Sequence, residues 1–454
     1  MKAKSPRPPP ARHKWVRPWL TAHGHAIQQL VAETLAAADQ FEAKHFPRTR
    51  ARRAADRQSR EALVRALVVN LAHASLSPPP SGRLAIRAGN APKAKTRYDH
   101  PAFGKGVNPL LIVMHEADLL DFRLPVAMRG EVSSIAPTDA FAARVRELGI
   151  GLSDFSRHDD DDGEEMLVLT RKAGTRAAPS TDRVDYEDTA ETNALREEVR
   201  RVNAFLAAAE IDFVQDGLQP HIDPHERGLK RRFMLLKADT KPRWDRGGRL
   251  FGDGFWINLE SSRRGGIRIQ GERVADLDYS SMFARLAYAH VGAVAPSGDL
   301  YAIPGLEQHR SGVKLAFNVF LFDGKGLRKE WPKAEMGIGV GTDADAKVNC
   351  EAARFDGLLP VGWSNPQRLR KAILEKHPAL GKAFGRRLGY GLMFTESRVL
   401  MAVLAELMRR GIVALPLHDG LLCAQSRKEE AAEVMRTKAI EVTGAAIPVE
   451  EKIG

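Results

Sequence analysis

The chain has 454 residues, and its 69 Lys and Arg against 57 Asp and Glu give a formal net charge of +12. Excess positive charge favours a polyanionic partner, because every phosphate that is neutralised releases condensed counterions; the alternative is a basic protein without nucleic acid. The distant Cys350 and Cys423 argue against a disulfide framework or a zinc site, and no apolar run is long enough to cross a membrane, so a cytoplasmic protein without membrane contact is expected.

The N-terminal segment is basic and rich in proline. Met1–Arg17 lacks the apolar core that a secretory signal requires. Residues 1–55 are therefore predicted to form a basic disordered arm, which either contacts phosphates or is simply solvated.

Residues 56–150 show a succession of helical and strand-like patterns. Apolar residues recur at helical spacing over Ser59–Ala74, and a second helical pattern covers Asn108–Leu120. Two short apolar runs then flank a turn at Arg129–Gly130, and a further helix opens at Pro137–Thr138. This order of helix, helix, two-stranded wing and helix is similar to that of a winged-helix DNA-binding domain. The alternative is a small mixed domain that only packs on its neighbour.

Residues 151–240 are predicted to be a linker followed by helices. The acidic run His158–Glu165 lacks the ligand spacing of a calcium loop and is interpreted as a solvated loop between domains. A strong helical pattern covers Asp188–Ala209. His221 and His225 have the spacing of a metal-binding pair, but the proline between them breaks the helix such a pair would use. That segment is predicted to be a loop.

Residues 241–454 are predicted to be an α+β catalytic domain, because glycine clusters, β-like apolar runs and long helices alternate there. Within Val274–His290 a short apolar strand runs into Asp278, and a helical pattern follows. An aspartate at this place is rigidly held and accessible to a metal ion. The alternative interpretation is an ordinary helix cap.

A second candidate segment is Ile412–Cys423, where apolar runs flank the sequence His418–Asp419–Gly420. Hydrophobic strand, polar turn and hydrophobic strand predict a β-hairpin that carries Asp419 at its tip. The alternative is a plain hairpin whose turn uses Asp–Gly for its backbone geometry.

A third candidate segment is Arg310–Gly324, in which Arg310, Lys314, Asn318 and Phe322 recur at intervals of four. On a helix these side chains share one broad face. A basic pair beside an aromatic ring suits a triphosphate below a base. The alternative is an amphipathic helix with two exposed cations.

These three segments, in this order, resemble motifs A, B and C of family A DNA polymerases. Asp278–Arg285 reads DYSSMFAR where motif A has DYSxxExR, Arg310–Phe322 has the Arg, Lys and aromatic spacing of motif B, and His418–Asp419 resembles the HDE of motif C. Weaker similarities flank them. They are Gly248–Leu250 with Asn258–Leu259 ahead of motif A, and Ile447–Glu451 as the strand that closes the palm.

The resemblance implies a right-hand polymerase with an antiparallel palm sheet, a helical fingers segment and a thumb within residues 180–241, preceded by the winged-helix-like domain. It implies two Mg²⁺ ions, replaceable by Mn²⁺, held by Asp278, Asp419 and the main-chain carbonyl of Tyr279. Primer–template DNA and dNTPs would be the partners. The roles it implies for other residues are Lys314 as a catalytic proton donor, Arg310, Lys314, Asn318, Phe322 and Phe283 for nucleotide binding, and Arg249, His418 and Asn258 for the primer and DNA.

The sequence departs from the family pattern at three places. Phe283 replaces the glutamate of motif A, Gly420 replaces that of motif C, and Asp323 follows the aromatic of motif B. The bulk of Phe283 is predicted to exclude a ribose 2′-hydroxyl, so dNTPs are expected over rNTPs. The alternatives are an RNA-synthesising polymerase or primase on the same scaffold, and a DNA-binding replication protein with an inactive palm. The lack of a nuclease module would suit a mobile element, by analogy alone.

Overall fold

A computed structural model describes residues 13–88, 96–125, 132–156, 163–174, 179–324, 330–331, 357–360, 362–363 and 365–452. The protein is mixed α+β and contains two compact units, which are residues 1–164 with 215–226 and residues 165–214 with 227–454. No helix within the described ranges combines the length and the apolarity needed to cross a lipid bilayer. The predicted turn Arg129–Gly130, residues 158–162 of the acidic run and Cys350 lie outside the described residues.

The first unit combines four helices with short strands in its described part. The helices are α1 (His25–His45), α2 (Ala54–Leu76), α3 (Val107–Glu116) and α4 (Asp139–Glu147). The strands are β1 (Lys14–Trp15), β2 (Thr21–Ala22), β3 (Leu84–Ala85), β4 (Asp121–Arg123), β5 (Ser134–Ala136) and β6 (Phe155–Ser156). One sheet has the order β1-β3-β5-β4, and β2 pairs with β6.

The prediction of a disordered arm over residues 1–55 is wrong for α1. This helix buries Ile27, Leu30, Val31 and Ala38 in the core of the first unit. The spacing of these residues is that of one helical face, so the sequence carries the signal. The proline-rich composition belongs to the start of the chain and does not extend to this helix.

The predicted order of elements over residues 56–150 is confirmed by α2, α3, the antiparallel pair β4–β5, and α4. Thr138 caps α4, because its hydroxyl accepts a hydrogen bond of 3.2 Å from the amide of Phe141. The sheet is wider than a two-stranded wing, since β3 pairs with β5 and β1 pairs with β3. The unit also extends to residue 164 and includes residues 215–226, beyond the predicted boundary at 150.

The second unit contains the remaining elements of the described chain. Its helices are α5 (Ala190–Ala208), α6 (Met282–His290), α7 (Arg310–Phe322), α8 (Pro366–Lys376), α9 (Gly389–Arg409) and α10 (Lys428–Thr443). Its strands are β7 (Leu167–Gly174), β8 (Pro179–Arg183), β9 (Ile211–Phe213), β10 (Leu229–Leu235), β11 (Gly247–Gly252), β12 (Ile267–Ile269), β13 (Glu272–Tyr279), β14 (Ala414–Pro416), β15 (Gly420–Ala424) and β16 (Val449–Glu451).

A mixed sheet occupies much of the segment predicted as linker and thumb helices. Its order is β11-β10-β7-β8, with β10 parallel to β7 and antiparallel to β11. Only α5 matches a predicted helix among the described residues of 151–240. The alternation of buried and half-buried residues in β10 is not visible in the sequence, because one of the buried positions holds a charged residue. This residue is Arg231, which is 1% exposed. Its guanidinium donates to the carbonyl of Gly248 at 2.8 Å and pairs with Glu198 at 2.7 Å.

The second sheet is antiparallel, as the sequence predicts for the catalytic domain. Its order is β14-β15-β13-β12-β9, and β16 also pairs with β13. Helix α9 extends from Gly389 to Arg409 and packs against α6, α10 and β11. The central strand β13 thus holds Asp278 with hydrogen-bonded neighbours on both sides.

Candidate active site

Strand β13 places Asp278 on the face opposite its buried apolar residues. Ala275, Leu277 and Tyr279 are buried, whereas the residues between them are half-exposed. This is the alternation of a strand with one face in the core. The Tyr279 hydroxyl donates to the main-chain oxygen of Met435 at 2.6 Å, so its side chain points away from the Asp278 carboxylate. Ser281, with φ of 53°, occupies the N-cap of α6, so Asp278 is not the cap of that helix.

The hairpin β14–β15 brings Asp419 beside Asp278. The amide of Leu417 donates to the carbonyl of Gly420 at 2.9 Å and closes the predicted turn. Gly420 lies directly opposite Asp278 in the antiparallel ladder, and the amide of Tyr279 donates to the carbonyl of Asp419 at 3.0 Å. Two aspartates from distant parts of the sequence are therefore neighbours at the end of two adjacent strands.

Gly420 is required by the close approach of the two strands. A Cβ atom at this position would overlap the main-chain oxygen of Leu277 and would lie 3.0 Å from Oδ1 of Asp278. The carbonyl of Leu277 is main chain and is held by the ladder, so it cannot move away at low cost. This accounts for a glycine where the resembling motif has glutamate.

The charge of Asp278 is strongly perturbed by its surroundings. Burial, and then repulsion from the Asp419 carboxylate, raise the pKa of Asp278 to about 7 against the opposing effect of Lys452. The Lys452 ammonium lies 2.7 Å from Oδ2 of Asp278. Oδ1 of Asp278 is buried and has no hydrogen-bond partner within the described chain. Sequence reasoning missed Lys452, which only the register of β16 brings to this place.

In the metal-free protein, the stability of the fold is expected to fall as pH rises from about 4 to about 7. The folded state keeps a proton on Asp278, with pKa about 7, which the unfolded chain, with the ordinary value of 3.8, has already lost. Below the unfolded pKa this proton contributes its full stabilisation of about 4 kcal/mol. The contribution decreases as pH rises and is lost once pH passes the folded pKa of about 7. Denaturant unfolding of wild type and Asp278→Asn across this range measures the difference. Parallel curves would contradict the raised pKa.

The aspartate pair fits a hard divalent cation. Carboxylate and carbonyl oxygens are the ligands that Mg²⁺ and Mn²⁺ prefer, and a buried carboxylate oxygen without a partner suits a ligand atom. Asp278 and Asp419 are the residues that could hold such an ion, and the main-chain carbonyl of Tyr279 is a further candidate.

A second group of metal-type ligands lies in the first unit. His73 Nε2 is 3.0 Å from Asp223, and Glu226 is nearby. The Arg17 guanidinium lies 2.9 Å from Glu226 and 3.4 Å from Nδ1 of His73. This cation already balances the acidic charge, so we assign no metal there. The segment of His221 is a loop as predicted, and the residues that it contributes to this group are Asp223 and Glu226.

Helix α7 presents the four predicted nucleotide-binding residues on one face. Arg310 and Lys314 are exposed and Asn318 and Phe322 are half-buried, while the opposite face is buried. Arg310 donates through Nε to Asp299 at 2.6 Å. Oδ1 of Asn318 is buried and has no hydrogen-bond partner in the described part of the chain. The prediction that they share a face is confirmed, whereas their ligand is not tested by this geometry.

Two predicted residues from different motifs meet in an aromatic stack. The rings of Phe283 and Phe322 are stacked with centroids 5.9 Å apart and planes at 29°. The Arg249 guanidinium lies 5.4 Å from the centre of the Phe283 ring and donates to Glu396 at 2.6 Å. Tyr390 meets Phe322 edge-on at 5.0 Å. Glu396 and Tyr390 were not predicted as site residues, and both lie on α9.

The buried phenol of Tyr301 links the aspartates to helix α7. Burial raises the pKa of Tyr301; the positive charge of Arg310 lowers it, and the negative charge of Asp419 raises it. The Arg310 guanidinium also lies 5.3 Å from the centre of this ring. The start of α7 and the hairpin turn are therefore close enough to act on one side chain.

The remaining predicted DNA-binding residues lie at the edges of this region. His418 is half-buried in the hairpin turn, and Asn258 is exposed in a bend. Trp256 attaches that bend to the hairpin, because its indole nitrogen donates to the carbonyl of Pro416 at 2.9 Å. The structure does not bring Asn258 into contact with the aspartates.

No protein-family model and no curated protein matches the sequence. The function is therefore inferred from the geometry of the second unit and from the resemblance of its motifs.

Proposed function

We propose that the protein is a template-directed DNA polymerase that adds dNTPs to a primer 3′ end. The observation that carries this proposal is the pairing of Asp278 and Asp419 at the ends of adjacent antiparallel strands, with a buried carboxylate oxygen that has no hydrogen-bond partner among the described residues. The right-hand arrangement of palm, fingers and thumb belongs to the proposal. The antiparallel sheet would be the palm and α7 would be the fingers helix.

Different residues would hold the metal ions and bind the triphosphate in the proposed reaction. Two Mg²⁺ ions, or Mn²⁺, held by Asp278, Asp419 and the carbonyl of Tyr279, would activate the primer hydroxyl and neutralise the leaving pyrophosphate. Arg310 and Lys314 are exposed cations that would bind the triphosphate, and Lys314 would donate a proton to pyrophosphate. Ammonium and guanidinium groups suit phosphate oxygens, and Arg310 would exchange its ion pair with Asp299 for the triphosphate.

Aromatic and DNA contacts complete the proposed binding site. Phe322 would stack near the incoming base, and Asn318 would offer the nucleotide its amide oxygen, which has no partner among the described residues. Arg249, His418 and Asn258 would contact the primer and DNA. The element order of the first unit and the net charge of +12 support a DNA-binding role for that unit.

Primer extension tests the proposal directly. A labelled primer–template is incubated with the full chain and Mg²⁺, once with dNTPs and once with rNTPs. Template-dependent addition of dNTPs supports a DNA polymerase, and preferential addition of rNTPs, with an alkali-sensitive product, indicates an RNA-synthesising polymerase or primase. No extension in Mg²⁺ or Mn²⁺ contradicts both assignments.

Replacement of Phe283 by alanine is expected to relax the preference for dNTPs over rNTPs. Its ring occupies the place where the resembling motif has a glutamate, so it would exclude the 2′-hydroxyl by bulk. The ratio of kcat/KM values is expected to fall at least about tenfold, the effect of about 1.4 kcal/mol of lost discrimination. Single-nucleotide extension measures this ratio. Phe46→Ala, which removes an exposed ring in the first unit, serves as control. An unchanged ratio in Phe283→Ala would show that the Phe283 ring does not exclude the 2′-hydroxyl.

A second candidate function is a DNA-binding replication protein with an inactive palm. The ion pair between Lys452 and Asp278, and the glycine in place of the motif C glutamate, favour it. It predicts DNA binding without turnover in the extension experiment. The retention of both aspartates, at the energetic cost of a desolvated carboxylate, favours the polymerase.

A further inference from the structure

The end of β16 brings a lysine to the aspartate pair. Leu277, Asp278 and Tyr279 pair with Glu451, Glu450 and Val449, and the amide of Lys452 donates to the carbonyl of Asp276 at 2.8 Å. The ladder therefore continues through Lys452. Side chains on directly paired residues of an antiparallel ladder share one face of the sheet. Lys452 lies opposite Asp276, so it is on the same face as Asp278 and two residue pairs along the ladder from it, and its ammonium lies 2.7 Å from Oδ2 of Asp278.

This ion pair differs from an ordinary surface pair. Exposed pairs contribute little because both side chains are flexible and solvated. The Asp278 side chain is only 20% exposed, and its strand is paired on both sides. The main chain of Lys452 is tied to β13 while its side chain is 51% exposed, so the difference from a surface pair lies in the buried aspartate.

The carboxylates around Asp278 have their negative charges compensated by paired cations or by solvent. Asp276 pairs with Arg264 at 2.9 Å, and Asp278 pairs with Lys452. Glu450 is exposed, so solvent screens its charge. What remains for an incoming cation is the carboxylate of Asp419 and two buried oxygens without a partner among the described residues, Oδ1 of Asp278 and Oδ1 of Asp276.

We propose that the Lys452 ammonium is a built-in cation of the aspartate centre that takes the place of one of two divalent ions while no nucleotide is bound. Without nucleotide, the centre then holds one divalent ion, through Asp278 Oδ1 and Asp419. The second ion arrives with the triphosphate, which brings its own negative charge. Lys452 acts here as a positioning residue, through Asp278. The inference rests on the proposed function, because it takes the aspartates as metal ligands.

Binding of Mn²⁺ to the nucleotide-free full chain tests this role. Electron paramagnetic resonance counts free Mn²⁺, so it reports stoichiometry and affinity without any turnover. Wild type is expected to bind one ion. Lys452→Met removes the charge but keeps the length of the side chain, and it is expected to bind two ions or to bind the first at least about tenfold more tightly. Lys452→Arg keeps the charge and is expected to behave as wild type.

A matched control and the pattern of outcomes separate the two proposals. Lys438→Met removes a lysine that pairs with Glu441 on α10, and it should leave Mn²⁺ binding unchanged. Far-UV circular dichroism of each variant shows that it is folded. Equal stoichiometry and affinity for Mn²⁺ in wild type and Lys452→Met would contradict the proposed role of Lys452. The proposed polymerase function would not be affected by this result. If neither protein binds Mn²⁺, and Asp278→Asn is no different, the metal centre fails and the inference fails with it.

Discussion

Replacement of Asp278 or Asp419 by asparagine is expected to lower the rate of primer extension at least about 1,000-fold, which corresponds to about 4 kcal/mol of transition-state stabilisation. Asparagine has nearly the shape of aspartate, but it lacks the charge that a divalent ion requires. The two aspartates are neighbours through the β13–β15 ladder. Loss of either should therefore abolish the same function, and the double variant should be no worse than the worse single one.

Single-turnover extension with Mg²⁺ measures this loss, and an exposed aspartate of the same sheet provides the control. Asp212 lies in β9 with its side chain in solvent, so Asp212→Asn should retain wild-type rates. Asp278→Asn is also expected to be more stable than the wild type at neutral pH, because it removes a desolvated charge next to Asp419. Retained activity in a folded Asp419→Asn protein would exclude the aspartate pair as the centre.

Replacement of Gly420 by alanine is expected to destabilise the second unit by about 3 kcal/mol, the upper part of the range for overpacking a filled site. The added Cβ would meet the main-chain oxygen of Leu277 and would also crowd Asp278. A flexible side chain can turn away from such a contact, whereas a ladder carbonyl cannot move without breaking its hydrogen bonds. Glutamate, the residue of the resembling motif, would meet the same obstacle. Restoring the motif should thus damage the fold.

Denaturant unfolding compares this variant with a glycine that has free space around it. Gly391 lies in the first turn of α9, and a Cβ there meets nothing within 4 Å. Gly391→Ala is expected to be neutral or to stabilise the helix by up to about 1 kcal/mol, since alanine has the higher helix propensity. Equal stability of Gly420→Ala and wild type would mean that the two strands can separate without cost.

The parts of the site that sequence patterns predict are those encoded locally. The hairpin around Asp419 is specified by two apolar runs and a polar turn, and the shared face of α7 by an interval of four. Both signals lie within a dozen residues, so no knowledge of the rest of the chain is needed. The adjacency of Asp278 and Asp419 came from the resemblance, because no local pattern shows which strands pair.

The parts that sequence reasoning missed depend on pairing over long distances. Lys452 reaches Asp278 only because β16 adds to β13 in one register, and a shift by one residue would turn its side chain away. The mixed sheet was missed for a different reason. Buried Arg231 breaks the apolar alternation of β10, and its charge is satisfied by Glu198 and a carbonyl that lie far away in the sequence. Helix α1 was missed although its apolar spacing is clear.

The pairing of β13 with β15 has a consequence for the order of folding. Asp278 and Asp419 are about 140 positions apart, and closing a loop of that length costs about 4 kcal/mol of chain entropy before any contact is gained. Helices and the β14–β15 hairpin close far shorter loops and are expected to form earlier. The two strands that carry the aspartates would then pair late in folding, after the local elements have formed.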